Sequence, residues 1–302
     1  MDRVLRGRVA IVTGAGKGIG RAIAHSLAAQ GASVLVNNRS HAGESGGSAQ
    51  TVCSEITAAG GSAAINTDSI EATGACERMV EQALAAFGRL DIVVNNAAIA
   101  PEKRIAGMRD SLLRETFDIN YFAPAALTRA ALPALRESGS GRLIYVISNG
   151  GLYGGDGLAA YASTKGALYA YMRCAAAEGA RYNITANALA PFAASQMTEA
   201  AMRDEAVRRA LDPAWIGPVA TVLASEAFTA TGKVYVTGGG RIREARVEET
   251  DFVSFASPGD TAYASVAEAL QRLAGMPAEQ GFDNAMAAFG QTMRGITRDH
   301  EG

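Results

Sequence analysis

The chain has 302 residues, 48% of them hydrophobic and 19% charged, with a formal charge of −2 and a pI near 6.0. That hydrophobic share supports a buried core and excludes a disordered chain, which combines low hydrophobicity with high net charge. With no basic excess to neutralise phosphates, nucleic acid is not an expected partner.

Met1–Arg8 runs straight into an apolar stretch, without the pattern of a secretory signal. No uninterrupted apolar run reaches the ~18 residues of a membrane span. A cytoplasmic protein with no membrane partner is expected. The first predicted strand is Val9–Val12, and Gly20–Gln30 reads as a helix. Between them lies Thr13-Gly14-Ala15-Gly16-Lys17-Gly18-Ile19-Gly20. Glycines in a strand–turn–helix setting let a pyrophosphate approach backbone N–H groups at a helix N-terminus, which side chains would block.

The second predicted strand, Ser33–Val36, ends in Asn37-Asn38-Arg39-Ser40. An acidic residue at this place accepts from the ribose 2′-hydroxyl of NAD and repels the 2′-phosphate of NADP. Here no carboxylate is present, and Arg39 and Lys17 can pair with a phosphate. NADP(H) is therefore the expected cofactor. NAD(H) stays open, because Asn38 can still bond a hydroxyl.

Further strands are predicted over Ala63–Asn66, Ile92–Val94, Leu143–Ile147, Ile184–Ala188 and Lys233–Val236, with helices over Gly74–Phe87, Ser111–Leu135 and Ala159–Arg181. The strands are nearly all apolar, as in a sheet covered on both faces. Strand–helix alternation predicts one parallel sheet in a doubly wound α/β domain over residues 1–240. Residues 241–302 open with alternating Arg and Glu, followed by predicted helices over Thr261–Leu273 and Ala278–Met293. They read as a helical C-terminal extension packed on the domain or on a partner subunit.

Cys53, Cys76 and Cys174 are far apart and read as reduced, buried thiols. With only His25, His41 and His300, a histidine-rich metal site is not expected.

Ser148, Tyr161 and Lys165 carry the chemistry. Tyr161 and Lys165 share one helix face, and Ser148 ends a strand thirteen residues before Tyr161. A free tyrosine has a pKa near 10. A neighbouring ammonium and a positive nicotinamide ring are expected to lower it, fitting Tyr161 to exchange a proton with a substrate oxygen. Ser148 can hold that oxygen by a hydrogen bond. Asn120 could hold a water that links Lys165 to solvent.

Gly14-x-x-x-Gly18-x-Gly20, Asn95-Asn96-Ala97-Ala98, Asn120, Ser148 and Tyr161-x-x-x-Lys165 together resemble the short-chain dehydrogenase/reductase family. The resemblance covers about residues 7–240. It implies a Rossmann fold with a seven-stranded parallel sheet. It also implies Tyr161 as acid/base, Lys165 on the nicotinamide ribose, Ser148 on the substrate oxygen and Asn120 in a proton relay. Asp68 and Ser69 match positions near the adenine, and Asn96 and Ala97 match the segment along the adenosine. A homodimer or homotetramer is implied as well, with Tyr169 and Tyr171 in packing or subunit contacts.

A narrower resemblance covers Asn187–Thr198, Asp212-Pro213-Ala214 and the passage from Gly238 into Thr250. These stretches are similar to the (3R)-hydroxyacyl-CoA dehydrogenase part of type 2 peroxisomal multifunctional enzymes. On that likeness Pro191 and Ser195 lie against the cofactor, Ser195 replacing a threonine that contacts the nicotinamide amide. Asn38 falls where those enzymes carry an NAD-selecting aspartate. Tyr153 and Phe192 are the expected substrate-lining aromatics. The expected activity is interconversion of a secondary alcohol and a ketone by hydride transfer, on a 3-hydroxyacyl/3-ketoacyl thioester linked to CoA. The alternative is an NADPH-dependent reductase of a steroid, a bile-acid side chain or a polyketide.

Overall fold

A computed structural model describes residues 3–39, 47–193, 205–253 and 263–292. Ser40 and Ser195 therefore lie outside the described residues. The chain divides into two compact units, Met1–Glu244 and Ala245–Gly302.

The described residues up to Ala245 hold eight strands: β1 (Val9–Val12), β2 (Ser33–Asn37), β3 (Ser62–Asn66), β4 (Ile92–Asn95), β5 (Arg142–Val146), β6 (Thr185–Pro191), β7 (Val234–Gly238) and β8 (Arg241–Ala245). They form one sheet in the order β3-β2-β1-β4-β5-β6-β7-β8. Every registered pair from β3 to β7 is parallel. The order reverses direction beside β1, so a crevice opens at the C-terminal ends of β1 and β4, where ligands bind in such sheets.

The helices of this stretch are α1 (Gly18–Ala29), α2 (Ser48–Ala58), α3 (Ala75–Phe87), α4 (Asp110–Phe117), α5 (Ala123–Glu137), α6 (Asn149–Tyr153), α7 (Ala159–Gly179), α8 (Glu205–Ala210) and α9 (Ile216–Ala224). Alternate strand residues face opposite layers. Ala10, Val12, Val34, Val36, Val94, Ile144 and Leu189 join Ile23 and Leu27 of α1, Val52 and Ile56 of α2, and Ile216 and Leu223 of α9 in one buried cluster. Ile11, Val93 and Tyr145 are buried in the strands, and Met79, Leu127 and Met172 are buried on α3, α5 and α7. Burial on both faces explains why the strand sequences do not alternate.

Two expectations change. The sheet has eight strands rather than seven. Gly239 and Gly240 both take positive φ, 57° and 72°, the requirement of a two-residue hairpin turn. That turn folds the charged Arg241–Ala245 back onto β7 as an edge strand. The predicted helix Ser111–Leu135 is not continuous: a π-helical turn over Asp118–Phe122 separates α4 from α5. Cys53 and Cys76 are buried, as expected, but Cys174 on α7 is exposed.

Opposite the crevice, charges are buried at the N-terminal ends of the strands. Asp91 is fully buried and accepts from Val9 N at 2.8 Å and Arg89 Nε at 2.9 Å. Arg142 is 1% exposed and donates to the carbonyls of Ser225, Gly141, Asn183 and Glu226 at 2.9–3.3 Å. Arg8 donates to Ser140 O at 2.5 Å and lies 3.4 Å from Glu226.

In the second unit, α10 spans Tyr263–Leu273 and a further helix spans 285–292. Glu249 and Gln280 form an antiparallel bridge. Of its described residues only Ala269 is buried. Among the described residues no helix is long and apolar enough to cross a membrane, and no His, Cys, Asp or Glu cluster could hold a metal ion.

Candidate active site

The glycine loop joins β1 to α1 in a space too small for side chains. A Cβ at Gly14 would come within 2.9 Å of Ala97 Cα, and one at Gly20 within 2.5 Å of Asn96 Nδ2. One at Gly16 would collide with Ser48 and Asn38. Gly14 and Gly18 also have φ of 62° and 53°, a region that favours glycine. Thr13 fixes the loop against β4. Its Oγ1 accepts from the backbone N–H groups of Asn96 and Ala97, both at 3.0 Å. Asn96 answers by donating Nδ2 to Thr13 O at 2.8 Å. The result is a bare backbone cradle at the start of α1, which fits a dinucleotide pyrophosphate. Lys17 and Ile19 lie in that loop, with Lys17 exposed.

The ends of β2 and β3 continue the cradle. Asn37, buried, donates Nδ2 to Asn66 Oδ1 at 2.7 Å and to Asp68 O at 2.9 Å. Asn66 passes the chain on to Gln82 at 2.9 Å. Asp68 is held by Arg78 Nε at 3.2 Å, and Ser69 donates to Glu71 at 2.7 Å. Arg39 is exposed, with Nη1 3.9 Å from Glu71. Asn38 donates Nδ2 to Ser48 Oγ at 2.7 Å.

The C-terminal end of β5 carries Ser148. It caps α6 by accepting from Gly150 N at 3.0 Å, and its hydroxyl lies near enough to the Tyr161 phenol to lower it. Gly151 lies flat against α7: a Cβ there would come within 2.7 Å of the Lys165 backbone carbon and Cβ. That contact sets α6 directly over the turn bearing Tyr161 and Lys165. Lys165 is 2% exposed and donates Nζ to Val146 O at 2.7 Å. Its Nζ lies 5.7 Å from the Tyr161 ring centroid.

Electrostatics depart from the sequence expectation. Burial lowers Lys165 to about 7, so its ammonium is only half formed near neutral pH. Burial raises the Tyr161 phenol above its ordinary value, and the neighbouring Ser148 hydroxyl only partly opposes this. The lysine alone does not produce a tyrosinate, because burial is the largest influence on the phenol and favours its protonated form.

Asn120 is fully buried on the π-helical turn. Its Nδ2 donates to Ile99 O at 2.8 Å and Thr164 Oγ1 at 3.1 Å, while Oδ1 accepts from Ile99 N at 2.9 Å. Thr164 in turn donates to Tyr161 O at 2.7 Å. Both amide hydrogens are committed, so a water would have to bind a remaining oxygen lone pair or the main chain. π-Bulges recur at functional sites because the extra residue re-aims side chains.

Pro191 ends β6, and Phe192 N is tied to Thr237 O at 2.7 Å. Phe192 and Tyr153 are 43% and 75% exposed, so both turn much of their rings to solvent. The structure thus brings Ser148, Tyr161, Lys165 and Asn120 into one cluster. Thr13, Ser48 and Thr164 escaped the sequence reading. Their partners are distant in the chain, and a single hydroxyl residue carries no spacing signal.

The family model described as short chain dehydrogenase matches residues 8–206. A Mycobacterium tuberculosis protein named as short-chain type dehydrogenase/reductase Rv0148 is 35% identical over 83% of this chain and 89% of its own length. The peroxisomal hydratase-dehydrogenase-epimerase of Neurospora crassa is 36% identical over 81% of this chain, which spans only 27% of that protein. Full-length peroxisomal multifunctional enzyme type 2 from Drosophila melanogaster superposes with a TM-score of 0.82 at 25% identity, over 97% of this chain and 50% of that one. With the glycine cradle and the Ser148–Tyr161–Lys165 cluster in place, the match over residues 8–206 makes this chain a member of the short-chain dehydrogenase family.

Proposed function

We propose that this oxidoreductase interconverts a secondary alcohol and a ketone, prefers NADP(H), and acts on 3-hydroxyacyl/3-ketoacyl thioesters linked to CoA. The observation that carries the reaction type is the cluster of half-buried Ser148 and Tyr161 with buried Lys165, whose Nζ lies 5.7 Å from the Tyr161 ring centroid. When bound, the nicotinamide dinucleotide supplies or accepts the hydride.

The protein's residues do the rest. Ser148 donates to the substrate oxygen and holds it beside the phenol. Tyr161 gives its proton to that oxygen in reduction and takes it back in oxidation. A phenol raised by burial stays protonated through neutral pH, which suits the reduction direction. Lys165 binds the nicotinamide ribose and, with Asn120, passes protons between Tyr161 and solvent. Gly14, Gly16, Gly18 and Gly20 cradle the pyrophosphate. Asp68, Ser69, Asn96 and Ala97 flank the adenosine, and Pro191 lies against the cofactor. Arg39 and Lys17 attract the 2′-phosphate of NADP. Tyr153 and Phe192 flank the substrate. A homodimer or homotetramer is part of the same reading.

The thioester is supported by the dehydrogenase-containing peroxisomal relatives. The second reading is an NADPH-dependent reductase of a CoA-free ketone such as a steroid, bile-acid side chain or polyketide. The test is consumption of NADPH and of NADH with a 3-ketoacyl-CoA and with the matching CoA-free ketone. Turnover of the CoA ester, faster with NADPH, is expected. Turnover of only the free ketone replaces the substrate reading, and faster turnover with NADH overturns the cofactor preference.

A further inference from the structure

The glycine loop, the end of β2 and the start of α2 meet at one point. Gly16 is buried there, with Asn38 and Ser48 occupying the space a side chain would need. Asn38 Nδ2 donates to Ser48 Oγ at 2.7 Å and to Arg39 O at 3.3 Å. A carboxamide has two hydrogens, and both are used within the chain. The second bond also fixes which way the amide lies, because a flipped amide would set Oδ1 against the Arg39 carbonyl. What Asn38 has left to offer is the acceptor Oδ1. Ser48 uses one lone pair as acceptor and keeps its O–H to donate.

We propose that Asn38 and Ser48 together form a neutral reader of the ribose 2′ position that recognises a hydroxyl, with Ser48 as a specificity-determining residue. The inference rests on the reading that a nicotinamide dinucleotide lies with its adenosine ribose at the end of β2. A 2′-hydroxyl both donates and accepts. It can therefore give its proton to Asn38 Oδ1 and take one from Ser48. A 2′-phosphate only accepts, so it satisfies Ser48 but faces the lone pairs of Oδ1. An aspartate in place of Asn38 would reject that phosphate by charge; this pair merely fails to reward it. Arg39 and Lys17 pull the other way, with Arg39 partly countered by Glu71 at 3.9 Å. The outcome is a protein that binds both dinucleotides, with the cationic preference for NADP(H) blunted by the hydroxyl reader.

The experiment titrates the full-length, cofactor-free protein with NADH and with NADPH, following nucleotide fluorescence, so that no substrate need be known. Wild type is expected to bind both. Ser48→Ala weakens NADH binding by about fivefold to tenfold, the equivalent of one neutral hydrogen bond. It weakens NADPH less, because the freed Nδ2 becomes a donor to phosphate. Asn38→Asp keeps NADH and loses NADPH. An unchanged thermal midpoint in Ser48→Ala shows that the fold is intact. Unaltered NADH affinity in Ser48→Ala, or a larger loss for NADPH than for NADH, overturns the inference while leaving the dinucleotide reading in place. If wild type binds neither nucleotide, the dinucleotide reading falls and the inference with it.

Discussion

The two ends of the sheet bury polar groups to opposite purpose. At the N-terminal ends of the strands, Arg142 reaches four backbone carbonyls and Asp91 is enclosed by Val9 N and Arg89. Arg8 leaves Nε unbonded, yet at 4% exposure no solute reaches it. At the C-terminal ends, Tyr161, Ser148, Asn38 and Ser48 are only half-buried and keep hydrogen-bonding capacity. Buried charge by itself therefore does not mark the working end. Unused capacity beside a backbone cradle does.

The comparison can be broken by mutation at either end. At the working end, Tyr161→Phe should lower kcat by about 10³-fold, the scale of a lost general acid/base, while nucleotide binding persists. Near-wild-type turnover would remove Tyr161 from the chemistry. At the closed end, Arg142→Met should leave the Ser225, Asn183 and Glu226 carbonyls without this donor, while Gly141 O keeps Thr185 N, and cost about 3 kcal/mol of stability. The measurement is urea unfolding alongside kcat of the folded protein, which should not change. A loss of kcat without a loss of stability would mean that the closed end communicates with the site.

Lys165 sharpens the contrast through pH. Its pKa is about 7 in the folded chain and about 10.4 when unfolded. Below the lower value both states are protonated, and the full burial penalty is present. Between the two values the unfolded chain holds a proton that the folded chain lacks, so stability rises with pH. The gain from pH 7 to about 8.5 should be about 2 kcal/mol, read as a rising Tm of cofactor-free protein. Lys165→Met should flatten this rise. An equal rise in that variant would assign the effect to other groups.

Much of this was legible because local chemistry was unambiguous. The apolar strands and the glycine loop announced the sheet and its crevice, and Tyr161-x-x-x-Lys165 announced a shared helix face. The interruption at Asp118–Phe122 left no such mark, since its residues suit an ordinary helix. The π-helical turn coincides with tertiary bonds from Asn120 to Ile99 and Thr164, which periodicity does not reveal. Ser48 was missed because its partner lies ten residues back, across a connection with no pattern of its own. Arg241–Ala245 looked like the start of a helical tail, because an edge strand carries charges where inner strands carry valine.

That edge strand has a practical consequence. A chain trimmed back to Gly240 would leave β7, Val234–Gly238, with a row of unpaired N–H and C=O groups beside buried valines. Bare apolar edges of this kind recruit one another and aggregate. By laying Arg241, Arg243 and Glu244 along the last rung, the two-glycine turn acts as a solubility device, and shortening the protein for study should stop beyond β8.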